Sequence, residues 1–206
     1  MSEFLKVVRE RRSANKFIEG IEIPKNDFES IFEELTSAPS AFNLQHANYY
    51  VVKDPEVKAE VYKAAFKQYK VKTASAVIIV AGDKSAYQNA ASIYEGSKLL
   101  GIIDEKEFHT MVNMINDLYE DWGESFQHDE AIRNASLSAM LFMLLAKEQG
   151  WDTCPMIYFD QDKIKEILNI PESEVPAIMI TMGKTDPDSV KLRGARKATG
   201  EFVKYF

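Results

Sequence analysis

Apolar side chains recur at helical spacing in several stretches of this chain and run unbroken in two others. Near the start, Phe4, Val7 and Val8 form a short stripe within residues 3–12. In IPKNDFESIFEEL, Phe28, Ile31, Phe32 and Leu35 fall at i, i+3, i+4 and i+7, and Pro24 suits a first helical turn. Asp54-Pro55 reads as an N-cap followed by a proline at the first helical position, opening a helix with Val57, Val61, Ala64 and Ala65 inward. Asp104 and Glu107 match a capping box ahead of a stripe of Phe108, Met111, Val112, Ile115, Leu118 and Tyr119. Residues 134–150, NASLSAMLFMLLAKEQG, are apolar nearly all round and end at Gly150. Such a helix needs cover on every side, from its own sheet and with a second subunit as a further candidate.

The strand signals are shorter. YYVV at 49–52 is one; AVIIVA at 76–81 and AIMITMG at 177–183 lack alternation, as expected of central strands covered on both faces. The stretch TSAPSAFNLQHAN has the small and polar character of a loop, with Pro39 fixing one backbone angle. No linker and no internal repeat interrupts the pattern, so residues 1–206 read as one α+β domain.

Charge sharpens this picture. The chain has 25 basic and 32 acidic residues, a net −7, which argues against broad contact with nucleic acid or an anionic membrane. Residues 1–20 and 189–206 nevertheless hold ten basic side chains against four acids, leaving −13 for the middle. Two basic ends could gather around one small anion, or remain two solvated tails. The single cysteine, Cys154, excludes an internal disulfide framework and reads as packing. The N-terminus lacks an apolar signal region and no run approaches a membrane span, so the expectation is a cytoplasmic protein. His46, His109 and His128 show no metal-ligand spacing, and no metal is expected.

Nucleophile machinery, a Rossmann fingerprint and a P-loop are not indicated. Met111, Met114, Met140 and Met143 sit at helical spacings and read as core. What remains is Arg11-Arg12-Ser13, two guanidinium forks and a hydroxyl suited to a phosphate monoester, with Arg193 and Arg196 available for the other side. Ser40, Asn43 and Gln45 offer groups able to read the edge of a planar heterocycle, though Asn43 could equally cap a turn.

RRSANKF at the start, APSAFNLQ at 38–45, WDTCPMIYFD at 151–160 and RGARK near the end, in this order, resemble the FMN-dependent nitroreductase family. The resemblance implies a central, mostly antiparallel sheet flanked by helices, in an intertwined homodimer whose C-terminal arm, residues 189–206, adds a strand to the partner. GEFVKYF alternates as such a strand would. It also implies FMN at the subunit interface. Arg11, Arg12, Ser13 and Arg196 would hold its phosphate and ribityl chain, with Arg193 as a helper. Pro39, Ser40, Asn43 and Gln45 would come from the other subunit, and Lys67, Gln68 and Lys70 would lie near the pyrimidine end. Pro155, Met156, Ile157 and Tyr158 would lie across the ring.

In this chain Asn15 stands where the family usually has a basic residue, and His46-Ala47 replaces Pro-Trp. Tyr158 stands where glycine is common, and Lys67 where asparagine is. The activity implied is ping-pong hydride transfer from NADH or NADPH to a nitroaromatic, a quinone or a similar flat acceptor. Two other readings remain: a flavoprotein of this fold that uses dioxygen or senses flavin, and a non-catalytic dimer that lost the cofactor.

Overall fold

A computed structural model describes residues 2–206. Its helices are α1 (Glu3–Glu10), α2 (Lys25–Leu35), α3 (Pro55–Ala64), α4 (Tyr69–Thr73), α5 (Ala90–Leu99), α6 (Glu105–Glu148), α7 (Gln161–Leu168) and α8 (Thr199–Phe202). The strands β1 (Ala47–Val52), β2 (Ala76–Asp83), β3 (Asp152–Met156) and β4 (Glu174–Gly183) form one antiparallel sheet, in the order β1-β2-β4-β3.

The unbroken AVIIVA run has its reason in this order. β2 is an inner strand, so successive side chains alternate between two covered faces. Ile78 and Val80 enter one core with Phe28 and Ile31 of α2 and Phe142 of α6. Val77 and Ile79 enter the other with Val61 of α3, Val71 of α4 and Ile164 of α7. Gly82 ends the run where β2 passes directly under α6, because a Cβ there would overlap the backbone carbonyl of Ala131.

Local signals set most helix starts. Asp54 accepts from the Glu56 and Val57 amides at 2.9 and 3.0 Å, and the Asp104/Glu107 capping box is complete. Pro24 lies one residue outside the helical turn expected of it: it is the N-cap, and its carbonyl accepts from Asp27 N–H.

Larger differences come from tertiary context. The stripes after Asp104 and Asn134 belong to one helix, broken only at Gly123, whose φ of 71° suits glycine. Its own chain does not cover the 134–150 segment all round, since Leu137 and Met140 are exposed on it. Of the four methionines read as core, Met143 is buried, whereas Met114 and Met140 are exposed. α1 forms as its stripe predicts but buries nothing. The tail is not a strand in this chain: Thr199–Phe202 is helical, with the Ala198 amide donating to Glu201 Oε1 at 3.0 Å. The alternation in GEFVKYF is too short to hold a strand without a neighbour, and the local cap wins.

Candidate functional site

The basic ends do not stay apart. Residue 13 bridges Thr153 on the β3 edge, Ala14 N–H donates to Thr153 O at 3.0 Å, and Phe17 bridges Thr185. The N-terminal segment is thereby laid along β3. The C-terminal segment is tied to it by two arginines. Arg12 Nη2 donates to Lys191 O; Arg193 Nη2 donates to the carbonyls of Arg9, Glu10 and Arg11, the last turn of α1, where a cation is favoured. Asn15 Nδ2 adds a bond to Ser189 O at 3.3 Å.

Between the segments lies a cavity of about 250 Å³ lined by Arg11, Arg12, Ser13, Asn15 and residues 191–194 and 196. Five cations and no carboxylate line it, in a chain whose net charge is −7. The solvated-tail reading therefore gives way to the gathered one. The four arginines do different work. Arg12 and Arg193 are committed to carbonyls, while Arg196 uses Nη1 for its own turn, at Gly194 O and Ala195 O. Arg11 Nη1 is buried with no hydrogen-bond partner among the described residues. Burial, then the charges of Arg193 and Arg196, pull the Arg11 pKa down, partly offset by Cys154. An unpaired, crowded guanidinium is costly to bury and is relieved by an anion. The donor set, forks plus the Ser13 hydroxyl, fits a phosphate monoester.

From this pocket β3 leads to the other expected residues. Lys70 Nζ lies 3.2 Å from Cys154 Sγ, and Gln68 Nε2 donates to Tyr158 O at 2.6 Å. Along β3, Thr153 to Met156 spans about 10 Å at roughly 3.3 Å per residue. Cys154 is buried in the core, as its packing reading expects, and Met156 is buried in the same cluster. Ile157 and Tyr158 are exposed, and the Tyr158 ring rests on Phe66, centroids 4.4 Å apart. Phe66 and Lys67 hold positive φ, 52° and 56°, so this corner has a defined shape.

The loop at 38–45 is not brought to the basic pocket. Pro39, Ser40 and Gln45 line a different cavity of about 220 Å³, with His46, Tyr49, Asn134 and Ser138. Asn43 is not among its lining residues; its backbone closes the turn, N–H to Ser40 O at 3.0 Å.

A model of the nitroreductase family matches residues 8–184. The chain belongs to the nitroreductase family. This family member is 54% identical over 205 residues to MhqN of Bacillus subtilis, whose name includes NAD(P)H nitroreductase, with 100% of both chains covered. The solved structure of ydfN from Bacillus subtilis superposes with a TM-score of 0.96 at 53% identity, covering 99% of each chain. A structure from Exiguobacterium sibiricum solved in complex with FMN gives a TM-score of 0.89 at 29% identity, covering 100% of this chain and 98% of that one.

Sequence reasoning missed how the nitroreductase loop is held. Glu130, Asn134 and Ser138 are buried polar residues four apart on α6. Their i, i+4, i+8 spacing, which puts them on one helix face, was the available signal. His46, singled out in the sequence only as a departure from the family pattern, is buried, with Nε2 3.2 Å from Tyr119 Oη and Nδ1 unpartnered among the described residues. Burial drives its pKa down to about 4, against a smaller upward pull from Asp83. The unfolded chain protonates this histidine near pH 6.5 and the folded one does not, so stability falls as pH drops from about 6.5 to 4. The loss reaches at most about 3 kcal/mol at roughly 1.4 kcal/mol per pH unit. Thermal unfolding of His46→Gln and wild type between pH 7 and 4.5 should show a shallower decline for the variant; parallel declines would remove His46 as the cause.

Among the described residues, no helix is long and apolar enough to cross a membrane, and no group of His, Cys, Asp and Glu could hold a metal ion.

Proposed function

We propose that this chain is an FMN-dependent NAD(P)H oxidoreductase that works as a homodimer and reduces nitroaromatics, quinones or similar flat acceptors. The observation that carries the reading is the all-cationic pocket with its unpartnered Arg11 Nη1. The name of MhqN and the FMN held by the Exiguobacterium protein support it.

The redox chemistry is what FMN supplies when bound; the chain's own residues bind and orient. Arg11, Arg196 and the Ser13 hydroxyl take the phosphate, while Arg12 and Arg193 keep the two segments closed around it. Lys70, with its ammonium at Cys154 Sγ, is the cation for the pyrimidine end, where positive charge favours a reduced, anionic ring. Lys67 and Gln68 sit on the same corner. The backbone of residues 155–158 faces the ring, and the Phe66–Tyr158 pair keeps water from one edge. Pro39, Ser40, Asn43 and Gln45 reach the partner's cofactor. The exposed Leu137 and Met140 of α6, the uncovered α1 and the exposed Phe202, Tyr205 and Phe206 of the arm are the surfaces a second copy would cover.

FMN should bind the apo-protein at least about 100-fold more tightly than riboflavin, because charge-assisted bonds contribute roughly 1.5–3 kcal/mol each. Titration followed by flavin fluorescence quenching tests this; equal affinities would dismiss the basic pocket as the phosphate site. Sedimentation of the FMN-loaded protein should give a dimer, and a loaded monomer would contradict the shared site.

A further inference from the structure

The loop that carries Pro39, Ser40, Asn43 and Gln45 does not have a shape it would keep alone. Phe42, Asn43 and Gln45 all hold positive φ, 51°, 55° and 53°, and none is glycine. Such backbone persists only where surrounding contacts over-determine it. Part of the restraint is internal: the Gln45 amide donates to Ser40 Oγ at 2.9 Å. Half-buried Tyr94 donates from Oη to Phe42 O at 2.9 Å. Leu44 is buried in a cluster with Tyr87, Ile115 and Tyr119, and a polar tether comes from α6, where Ala41 N–H donates to Asn134 Oδ1 at 2.7 Å in a part-buried setting.

Asn134 is itself aimed by a second buried residue. Its Nδ2 donates to the Glu130 backbone carbonyl at 2.8 Å and to Glu130 Oε2 at 3.2 Å, and Glu130 is paired with Arg133. With the amide nitrogen taken by two acceptors on Glu130, the amide oxygen must face the loop. A carboxylate is costly to bury on a helix face, and this one has an evident use in fixing which end of the amide meets Ala41.

We infer that Asn134, oriented by Glu130, is a positioning residue that holds the 38–45 loop in its flavin-binding shape. The inference rests on the proposed function, in which that loop contacts the partner's cofactor. It makes α6 the element through which the loop of one subunit is registered for the other's site.

The test compares variants of the full chain for FMN affinity, thermal stability and amide hydrogen exchange. Asn134→Ala should bind FMN about tenfold more weakly, the loss of roughly one hydrogen bond's worth of preorganisation. Its Ala41 amide should exchange much faster than in wild type. Asn134→Asp should leave the affinity lowered near pH 7, since an ionised carboxylate can accept from Ala41 but cannot donate to Glu130. Asp27→Ala is the stability control: it removes the acceptor of Trp151 Nε1, 2.7 Å away, and should lower the melting temperature with FMN affinity unchanged. If Asn134→Ala does not fold, Asn134→Ser carries the same comparison.

Binding by Asn134→Ala or Asn134→Ser within twofold of wild type would overturn the inference. So would an equal loss of affinity in Asp27→Ala at matched stability. Failure of wild type itself to take up FMN would instead sink the function reading.

Discussion

Replacing Arg11 by methionine should weaken FMN binding about 10- to 100-fold while leaving the cofactor-free protein as stable as wild type, or more so. The two halves of this expectation have one cause. In the free protein Arg11 brings a charge into a half-buried site, leaves Nη1 without a partner among the described residues and faces Arg193 and Arg196. Each of those is unfavourable, and methionine removes all three while keeping an unbranched apolar stem. In the loaded protein the same group would donate charge-assisted bonds to the phosphate, worth roughly 1.5–3 kcal/mol. The same replacement at Arg12 should behave differently. Its Nη2 bond to Lys191 O joins the two ends of the chain, so stability and FMN affinity should fall together. Thermal melts of both variants with and without FMN separate the cases. An Arg11→Met protein that loses stability without losing affinity would show that the arginine is structural.

Gly82→Ala should be the most damaging small substitution in the sheet. The added methyl would overlap the Ala131 carbonyl, and neither partner can yield easily: one is backbone of an inner strand, the other backbone of α6. Overpacking of this kind costs typically 1–3 kcal/mol and more when backbone must move, so a loss of about 3 kcal/mol is expected. For a domain of this size that lowers the melting temperature by about 6–12 °C. Ala131 lies between Glu130 and Asn134, so the shift should also disturb the 38–45 loop and weaken FMN binding. Gly20→Ala is the contrast: no heavy atom lies near its added Cβ, so only its φ of 79° opposes the change. Comparable melting temperatures for the two variants would mean that the β2–α6 approach is not as close as described.

What could be read from the chain follows from how local each cause is. The central strand at 76–81, the caps at Asp54 and Asp104 and the stripe of α2 are short-range patterns, and each appears within a residue or two of its expected place. The basic ends were visible as charge, and their meeting was one of two outcomes that composition allowed. The bridge from residue 13 to Thr153 and the carbonyl bonds of Arg12 and Arg193 decide it, across about 140 to 180 positions of sequence.

Other features lay outside local pattern altogether. Positive φ at Phe42, Asn43 and Gln45 is imposed by contacts rather than by residue type, and so is the run of α6 on either side of its break at Gly123. The motif at 38–45 was recognisable, yet the means of holding it, Glu130 and Asn134, sits on a helix read only for its apolar face. The tail shows the converse: an alternation that suits a strand is helical over Thr199–Phe202, where the Ala198 amide donates to Glu201.

The central claim is that this fold and this pocket hold a flavin that a nicotinamide can reduce. The most direct measurement is the visible absorption spectrum of the freshly purified protein, recorded before and after adding NADH, then NADPH, without air. The account predicts flavin bands, present on purification or after incubation with FMN, that bleach on adding at least one of the two. A protein that remains colourless after incubation with FMN would contradict it.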